Sequence, residues 1–315
     1  MRTINRHDLS FKGHIALLSA NIIFGINASF SKVLLNDHLS PYALFLLRVI
    51  GAAALFWFVS LFIKREKIDK KDFFILFIAS VFGIILNQGF FVIGLSKSSP
   101  IDAILLQTLI PLITLLLAFL HLKEPITLKK AGGVIIGCAG AVFLILRNSQ
   151  MEAGSGTLEG NIFILLGSLA YAIYLTFFLQ IIRKYSPVTV MKWLFLFAAI
   201  ICTPIWYSEL ETIGFNAFSS QTYFFLIFVI VGATFLSYLL IPIGQRNLRP
   251  TLVSMYIYGQ PIVVSFVAIY MGVGKFTWNT LFAAILIFIG VYLVTMSKSR
   301  QQQLEEEKRK EQAAL

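Results

Sequence analysis

Residues Gly89–Leu146 read GFFVIGLSKSSPIDAILLQTLIPLITLLLAFLHLKEPITLKKAGGVIIGCAGAVFLIL. A diverged copy runs from Leu240 to Met296, LIPIGQRNLRPTLVSMYIYGQPIVVSFVAIYMGVGKFTWNTLFAAILIFIGVYLVTM. At a constant offset and without a gap, Gly94 falls on Gly244, Pro100 on Pro250, Pro111 on Pro261, Thr127 on Thr277 and Gly140 on Gly290. Gly and Pro have backbone requirements that other residues do not share, so their coincidence says more than matched leucines would. The chain contains one structural unit twice.

The solvent of that unit follows from composition. Of the 315 residues 58% are hydrophobic and 13% charged, with a mean hydropathy of +0.83. A soluble domain carries about 25% charged residues, so this chain can be covered only by lipid. Crossing a bilayer takes about 20 mostly apolar residues. Ten stretches qualify: His14–Leu35, Tyr42–Ile63, Phe73–Leu95, Ile101–Leu122 and Lys130–Arg147, then Gly160–Ile182, Val188–Tyr207, Thr222–Ile243, Thr251–Met271 and Thr277–Ser297. They lack the alternation of barrel strands and are about twice as long as such strands need to be. The predicted fold is an all-α membrane protein.

The net charge of +11 does not point to nucleic acid, because the bases sit between apolar runs and form no patterned surface. They report orientation instead. One set of loops and ends carries 21 of the 26 Lys and Arg; the opposite set carries Lys32, Lys97, Arg147 and Lys275. Arg48 lies inside a span. The positive-inside rule then puts both termini in the cytoplasm. Five spans per copy is an odd number, so the second copy enters the membrane from the opposite side. Ten helices in two inverted five-helix repeats, around a central cavity, is a plan of secondary transporters. The expected organisation is a first repeat over 1–150, a second over 156–297 and a charged cytoplasmic tail over 298–315, with a Gly/Ser-containing link at Asn148–Leu158. No cleavage site follows a short apolar core near the N-terminus, so the first run is expected to be a span and not a removed leader.

Polar groups inside the spans are the candidate site. Arg48 lies seven residues after Pro41, about 10 Å deep. A charged side chain at mid-helix costs roughly 2.5–3.5 kcal/mol on insertion scales. A cavity, a partner group or snorkelling to headgroups would each offset it. Asn21, Asn27, Asn87, Gln88, Gln107 and Gln260 are costly against lipid and should face protein or water. Singly they read as interhelical hydrogen-bonding groups; as a set on four spans they can line one cavity. Tyr171, Tyr174, Tyr238 and Tyr256 carry hydroxyls that need partners, and with Phe24 and Phe91 could hold apolar or ring-bearing cargo. Pro111 and Pro261 occupy equivalent mid-span positions, each removing a backbone hydrogen bond, either as inert kinks or as hinges. Gly133, Gly137 and Ala141 have the spacing of close helix packing, which excludes reading that run as a nucleotide loop. Cys138 and Cys202 lie in apolar runs without metal-ligand spacing. No catalytic residue, metal or cofactor is expected: there is no HExxH, no GxSxG and no mid-span acid among the 15 Asp and Glu.

These residues, in this order, resemble the EamA-type transporters of the drug/metabolite transporter superfamily over roughly Lys12 to Met296. The similarity is carried by Phe24-Gly25 and Lys32; by Pro41 and Arg48; by Gly94, Pro100, Pro111 and Glu124; by Gly132, Gly133, Gly137 and Gly140; and by Tyr171-Ala172-Ile173-Tyr174. One departure stands out. Glu124 falls on Gly274, so the second copy ends its equivalent helix on Val273-Gly274-Lys275 without an acid. The resemblance implies a carrier for a small organic metabolite, an amino acid or related compound, working by alternating access across the cytoplasmic (inner) membrane in the direction of export. Its partners would be the cargo and the bilayer, not nucleic acid, with coupling to protons or to a counter-substrate left open. The rivals are a sugar-phosphate or nucleotide-sugar exchanger, which should bring more bases to the cavity than Arg48; a non-transporting membrane sensor, which should carry a larger soluble part; and an intramembrane enzyme, which needs a buried catalytic set.

Overall fold

The computed structural model describes residues 6–122, 128–148, 157–248, 253–254, 256–275 and 277–295. The described residues are helical and contain no strand. We number the helices α1 (Arg6–Asp37), α2 (Pro41–Ser60), α3 (Lys70–Ser96), α4 (Pro100–Gln107), α5 (Ile110–Leu122), α6 (Leu128–Asn148), α7 (Leu158–Phe177), α8 (Leu179–Lys184), α9 (Pro187–Glu211), α10 (Ser220–Arg246), α11 (Gln260–Tyr270) and α12 (Trp278–Thr295). Among the described residues, seven helical runs are long and apolar enough to cross a membrane. Three shorter apolar helices lie where the fifth, ninth and tenth spans were expected. Glu124, the tail over 298–315 and most of the link after Asn148 fall outside the described residues.

Local chemistry sets the helix starts. Ser40 and Ser186 each precede a proline and accept a hydrogen bond from the backbone N–H three residues on, at Ala43 and Thr189. Ser99, Thr157 and Ser219 cap α4, α7 and α10 in the same way. Such side chains satisfy a backbone donor that the helix itself leaves free, and proline at the first turn loses nothing there.

Two features interrupt the long helices, neither of them legible as a motif. The first is π-helical backbone at Val81–Leu86 in α3 and at Phe228–Leu236 in α10. In the second, the hydroxyls of Thr234 and Ser237 donate to the carbonyls of Val229 and Gly232, five residues back. The other is a break at Thr108–Leu109, where the amides turn back to Leu105 and Leu106 with the tighter three-residue spacing. Pro111 thus sits in the first turn of a fresh helix, α5, not in the middle of a continuous one. Pro261 does the same in α11, after a 3₁₀ turn at Tyr256–Gly259.

Packing pairs the two halves of the chain. α6 lies against α12, α2 against α9, the end of α3 against α7, and α1 against the end of α10. Glycines permit the closest approaches. A Cβ at Gly290 would stand 2.5 Å from the Gly133 carbonyl oxygen and the Gly137 nitrogen. That is the contact expected of the small-residue face of α6. At one end, the loops of the two halves are clamped together. Lys184 bonds Asp69 (2.8 Å) and Asp72 (2.5 Å), the Tyr185 hydroxyl donates to Asp72 (2.7 Å), and Glu66 accepts the Ser186 N–H (3.0 Å). Large exposed side chains such as Phe62, Ile135, Phe224 and Phe266 cover the outside, as the lipid-facing surface of a membrane bundle requires.

Candidate functional site

The buried interior holds one polar-walled cavity. α1 contributes Leu17, Asn21, Phe24 and Asn27; α2 contributes Arg48; α3 contributes Asn87, Gln88 and Phe91. Ile104, Gln107 and Ile110 come from α4 and α5, Tyr171 from α7, and Tyr238 and Ile241 from α10. Val253, Ile257 and Gln260 complete the wall. The cavity has a volume of about 60 Å³, room for a few waters and below the ~300–1,000 Å³ of drug-sized sites.

Of the side chains singled out in the sequence, Phe24, Asn27, Arg48, Gln88, Phe91, Gln107, Tyr171, Tyr238 and Gln260 meet at this cavity. Asn21 and Asn87 join them. Two tyrosines do not. Tyr174 is buried with its ring over Gly83, where a Cβ would come within 2.7 Å of it, and stacks beside Tyr171 and Phe178. Tyr256 is bonded through its hydroxyl to the His14 ring and packs on the core behind the wall.

Arg48 is 2% exposed and points inward, which removes the snorkelling alternative. Its Nε donates to the Thr234 hydroxyl at 3.0 Å, and Thr234 in turn donates to Val229 O at 2.8 Å. Its Nη1 has no partner among the described residues. Among the described residues, no carboxylate lines the cavity. Beside the arginine, the Tyr238 hydroxyl donates to Asn87 Oδ1 (3.2 Å), and Asn87 Nδ2 donates to Gly167 O (3.1 Å). On another wall, Gln260 Nε2 donates to Asn21 Oδ1 (2.5 Å), leaving Gln260 Oε1 unpaired. The Gln88 amide stands against the Tyr238 hydroxyl without reaching full hydrogen-bond geometry. Buried polar atoms normally find partners. A set of orphans around one cavity therefore describes what an occupant should offer: an anionic acceptor for Arg48 Nη1, and further polar groups for Gln88 and Gln260.

Thr234 and the apolar walls Leu17, Ile104, Ile110, Ile241, Val253 and Ile257 were not anticipated from sequence. A threonine in an apolar run bonds its own backbone readily, so nothing marked Thr234 out. Among the described residues, no group of His, Cys, Asp and Glu could hold a metal.

Comparisons with known proteins bear on this geometry. The model of the EamA-like transporter family matches residues 11–146 and 158–296. An uncharacterized transporter of Archaeoglobus fulgidus is 25% identical over 262 residues, 82% of this chain and 90% of that protein. A WAT1-related protein of Arabidopsis thaliana is 23% identical, covering 89% and 84% of the two chains. The uncharacterized transporter YyaM of Bacillus subtilis is 22% identical, covering 88% and 92%. Among solved structures, one titled only as the crystal structure of a protein superposes with a TM-score of 0.64 at 15% identity, over 93% of this chain and 98% of the other, which speaks for the fold alone.

Proposed function

The chain belongs to the EamA-like transporter family, and from that premise we propose that it is a secondary carrier. It moves a small organic metabolite bearing a carboxylate, an amino acid or close relative, across the cytoplasmic membrane by alternating access, in the direction of export. The observation that supports this reading is the inward-facing Arg48, buried in a polar-walled cavity without a carboxylate to neutralise it. One guanidinium suits one carboxylate as a bidentate partner. A diphosphate cargo, as in sugar-nucleotide exchange, would call for more bases than this wall supplies.

The reading extends to ten membrane crossings arranged as two inverted five-helix repeats over 1–150 and 156–297, with both termini cytoplasmic. Phe24, Asn27, Arg48, Gln88, Phe91, Gln107, Tyr171, Tyr238 and Gln260 contact the cargo. Tyr174 and Tyr256 support the wall from behind. The re-started helices at Pro111 and Pro261 act as paired hinges, because the interrupted backbone ahead of each can bend at little cost.

A proteoliposome counterflow screen tests it, with purified protein and panels of amino acids, sugar phosphates and aromatic cations. Saturable exchange of one or more amino acids is the expected result. Exchange confined to sugar phosphates would replace the cargo assignment. No exchange of any class, from protein that remains monodisperse, would end the carrier reading.

A further inference from the structure

A second recess, away from the central cavity, gathers three lysines. Lys32, Lys97 and Lys275 line it together with Ser98, Ser99 and Thr157, around a volume of about 500 Å³ that opens outward. These are three of the four bases found on the base-poor side of the chain. On a side that carries so few, their convergence on one hollow is not background.

The charges do not cancel locally. Lys97 pairs with Glu159, with both side chains largely in solvent, and such pairs contribute little. Lys32 is held by two carbonyl oxygens, those of Leu95 and Ser96, each at 3.0 Å. An ammonium has three donors, so one remains. Lys275 is exposed and has no ion pair among the described residues. Among the described residues no acid lines the recess itself; the buried Asp102, whose N–H donates to Ser99 Oγ, lies just behind it and has a partner of its own. Its far wall is shaped by Gly272, whose φ of 69° is open to glycine at low cost. The amides of Gly272 and Val273 return to Ile269 and Ala268, which lays Val273–Lys275 over the hollow. This is the segment where the first copy of the repeat carries Glu124 and the second does not. A carboxylate at Gly274 would neutralise the recess.

The recess is stacked on the cavity. Lys32 follows Asn27 by five residues, Ser96 follows Phe91 by five, and Ser99 precedes Ile104 by five. At 1.5 Å per residue the two hollows are about 7–8 Å apart along the helices. A buried apolar layer containing Leu95, Ile101, Ile104 and Ala268 lies in this region.

We propose that the recess is an anion-binding vestibule, a second site that takes the carboxylate or phosphate group of a small soluble molecule at the outer mouth of the path to Arg48. Its role as a way-station rests on the carrier reading; its ability to bind an anion does not.

The test uses full-length protein in phosphatidylcholine liposomes and a membrane-impermeant amine-acylating reagent, with modification of Lys275 and Lys97 read by mass spectrometry. Inorganic phosphate, glutamate and chloride are compared at matched ionic strength. Phosphate or glutamate should protect Lys275 saturably while chloride does not. Lys275→Glu, followed at Lys97, should raise the half-protecting concentration by about fivefold, the size of a short-range charge reversal in a partly screened site, with Lys275→Gln in between. Equal protection by chloride, or a midpoint that Lys275→Glu leaves unmoved in a monodisperse protein, overturns the proposal. In phosphatidylglycerol liposomes, full protection without phosphate, combined with none from phosphate in phosphatidylcholine, would assign the lysines to a lipid headgroup and overturn it too. Flux is measured on the same preparations. Flux without protection removes the vestibule and keeps the carrier; protection without flux of any cargo does the reverse.

Discussion

Replacing Arg48 by methionine separates a binding role from a structural one, because the two roles move stability in opposite directions. Arg48 makes one side-chain hydrogen bond, to Thr234 at 3.0 Å, and has an unpaired Nη1. Losing a hydrogen bond to a charged group costs about 1.5–3 kcal/mol. Against this, a buried cation without a counter-charge carries a desolvation penalty of several kcal/mol. The loss leaves no orphaned donor, since the Thr234 hydroxyl keeps its bond to Val229 O. Methionine fills similar volume with flexible apolar atoms. The Arg48→Met protein should therefore be at least as stable as the parent, with an apparent Tm unchanged or raised by roughly 2–4 °C for each kcal/mol gained. Transport should fail in the same protein. A charge-assisted pair to the cargo carboxylate contributes about 2–3 kcal/mol, so half-saturation should rise by roughly 30–150-fold. Arg48→Lys keeps the charge but loses the planar fork and should fall between. Thermal unfolding in detergent and counterflow in proteoliposomes, on one preparation, decide it. An apparent Tm lowered by several degrees, or exchange at the parental half-saturation, would show that Arg48 holds the fold and does not meet the cargo.

Gly290→Ala should lower the apparent Tm by several degrees, because its Cβ meets backbone atoms of α6 at 2.5 Å that no rotamer can clear; overpacking of this kind costs roughly 1–3 kcal/mol. Gly132→Ala, whose Cβ would meet nothing within 4 Å, is the matched control and should be neutral or slightly stabilising. In the loop clamp, desolvation works against ionisation of Glu66, but bonds from Thr189 and Ser186 outweigh it and hold the carboxyl below its ordinary pKa. A lowered folded-state pKa stabilises above the ordinary value, about 4.3, and is lost as pH falls through the folded one. Glu66→Gln should thus lower the neutral plateau of a Tm–pH profile and flatten its acid limb, converging with the parent at low pH, where the parent has lost the same contribution. Lys184 is shifted upward by Asp69 and Asp72, so its contribution is present below the ordinary lysine pKa and fades only as pH rises through the higher folded one; Lys184→Met should lower the Tm at neutral pH and flatten the alkaline limb, and, because Lys184 also holds the Asp72 carboxyl below its ordinary pKa, flatten the acid limb as well. Pro111→Ala restores an N–H beside the Thr108–Leu109 break, and should slow exchange by about an order of magnitude without moving half-saturation if the helix restart is a hinge.

What the sequence could carry was set by cost. Polar amides at Asn21, Asn87, Gln88 and Gln260 are too expensive against lipid, so their presence in apolar runs already assigned them to an interior. Arg48 was legible for the same reason. Rotation about a helix axis was not. Tyr171 and Tyr174 are three residues apart and share a face, yet one reaches the cavity and the other is absorbed by the hole that Gly83 leaves. Backbone register was also hidden. The π-helical turns at Val81–Leu86 and Phe228–Leu236 leave no compositional trace, because they arise from packing and from hydroxyls that bond to their own helix. Pro111 and Pro261 announced a missing hydrogen bond, but not that the chain would stop and begin a new helix ahead of each one.

The two repeats no longer build equal walls, and this gives the cavity its polarity. Both Ser40 and Ser186 cap a helix that begins on proline. Counted from those caps, Arg48 corresponds to Leu194. Counted from the N-cap residues Asp69 and Ser219, Thr234 corresponds to Ile84. The charged pair of one side is thus an apolar pair on the other, and Leu194 and Ile84 are both fully buried in one core cluster. An inverted pair of identical repeats would present a guanidinium to each half of the path, and a single carboxylate could not satisfy both. Keeping one arginine and converting its counterpart to packing would give the proposed cargo a single charged anchor. It also leaves Leu194 and Ile84 inside an apolar core against which α3 and α9 can shift without breaking a charge–dipole contact. The same holds in the sequence at the helix ends, where Glu124 of the first copy aligns with Gly274 of the second. In both places the second copy has changed the charge that the first retains.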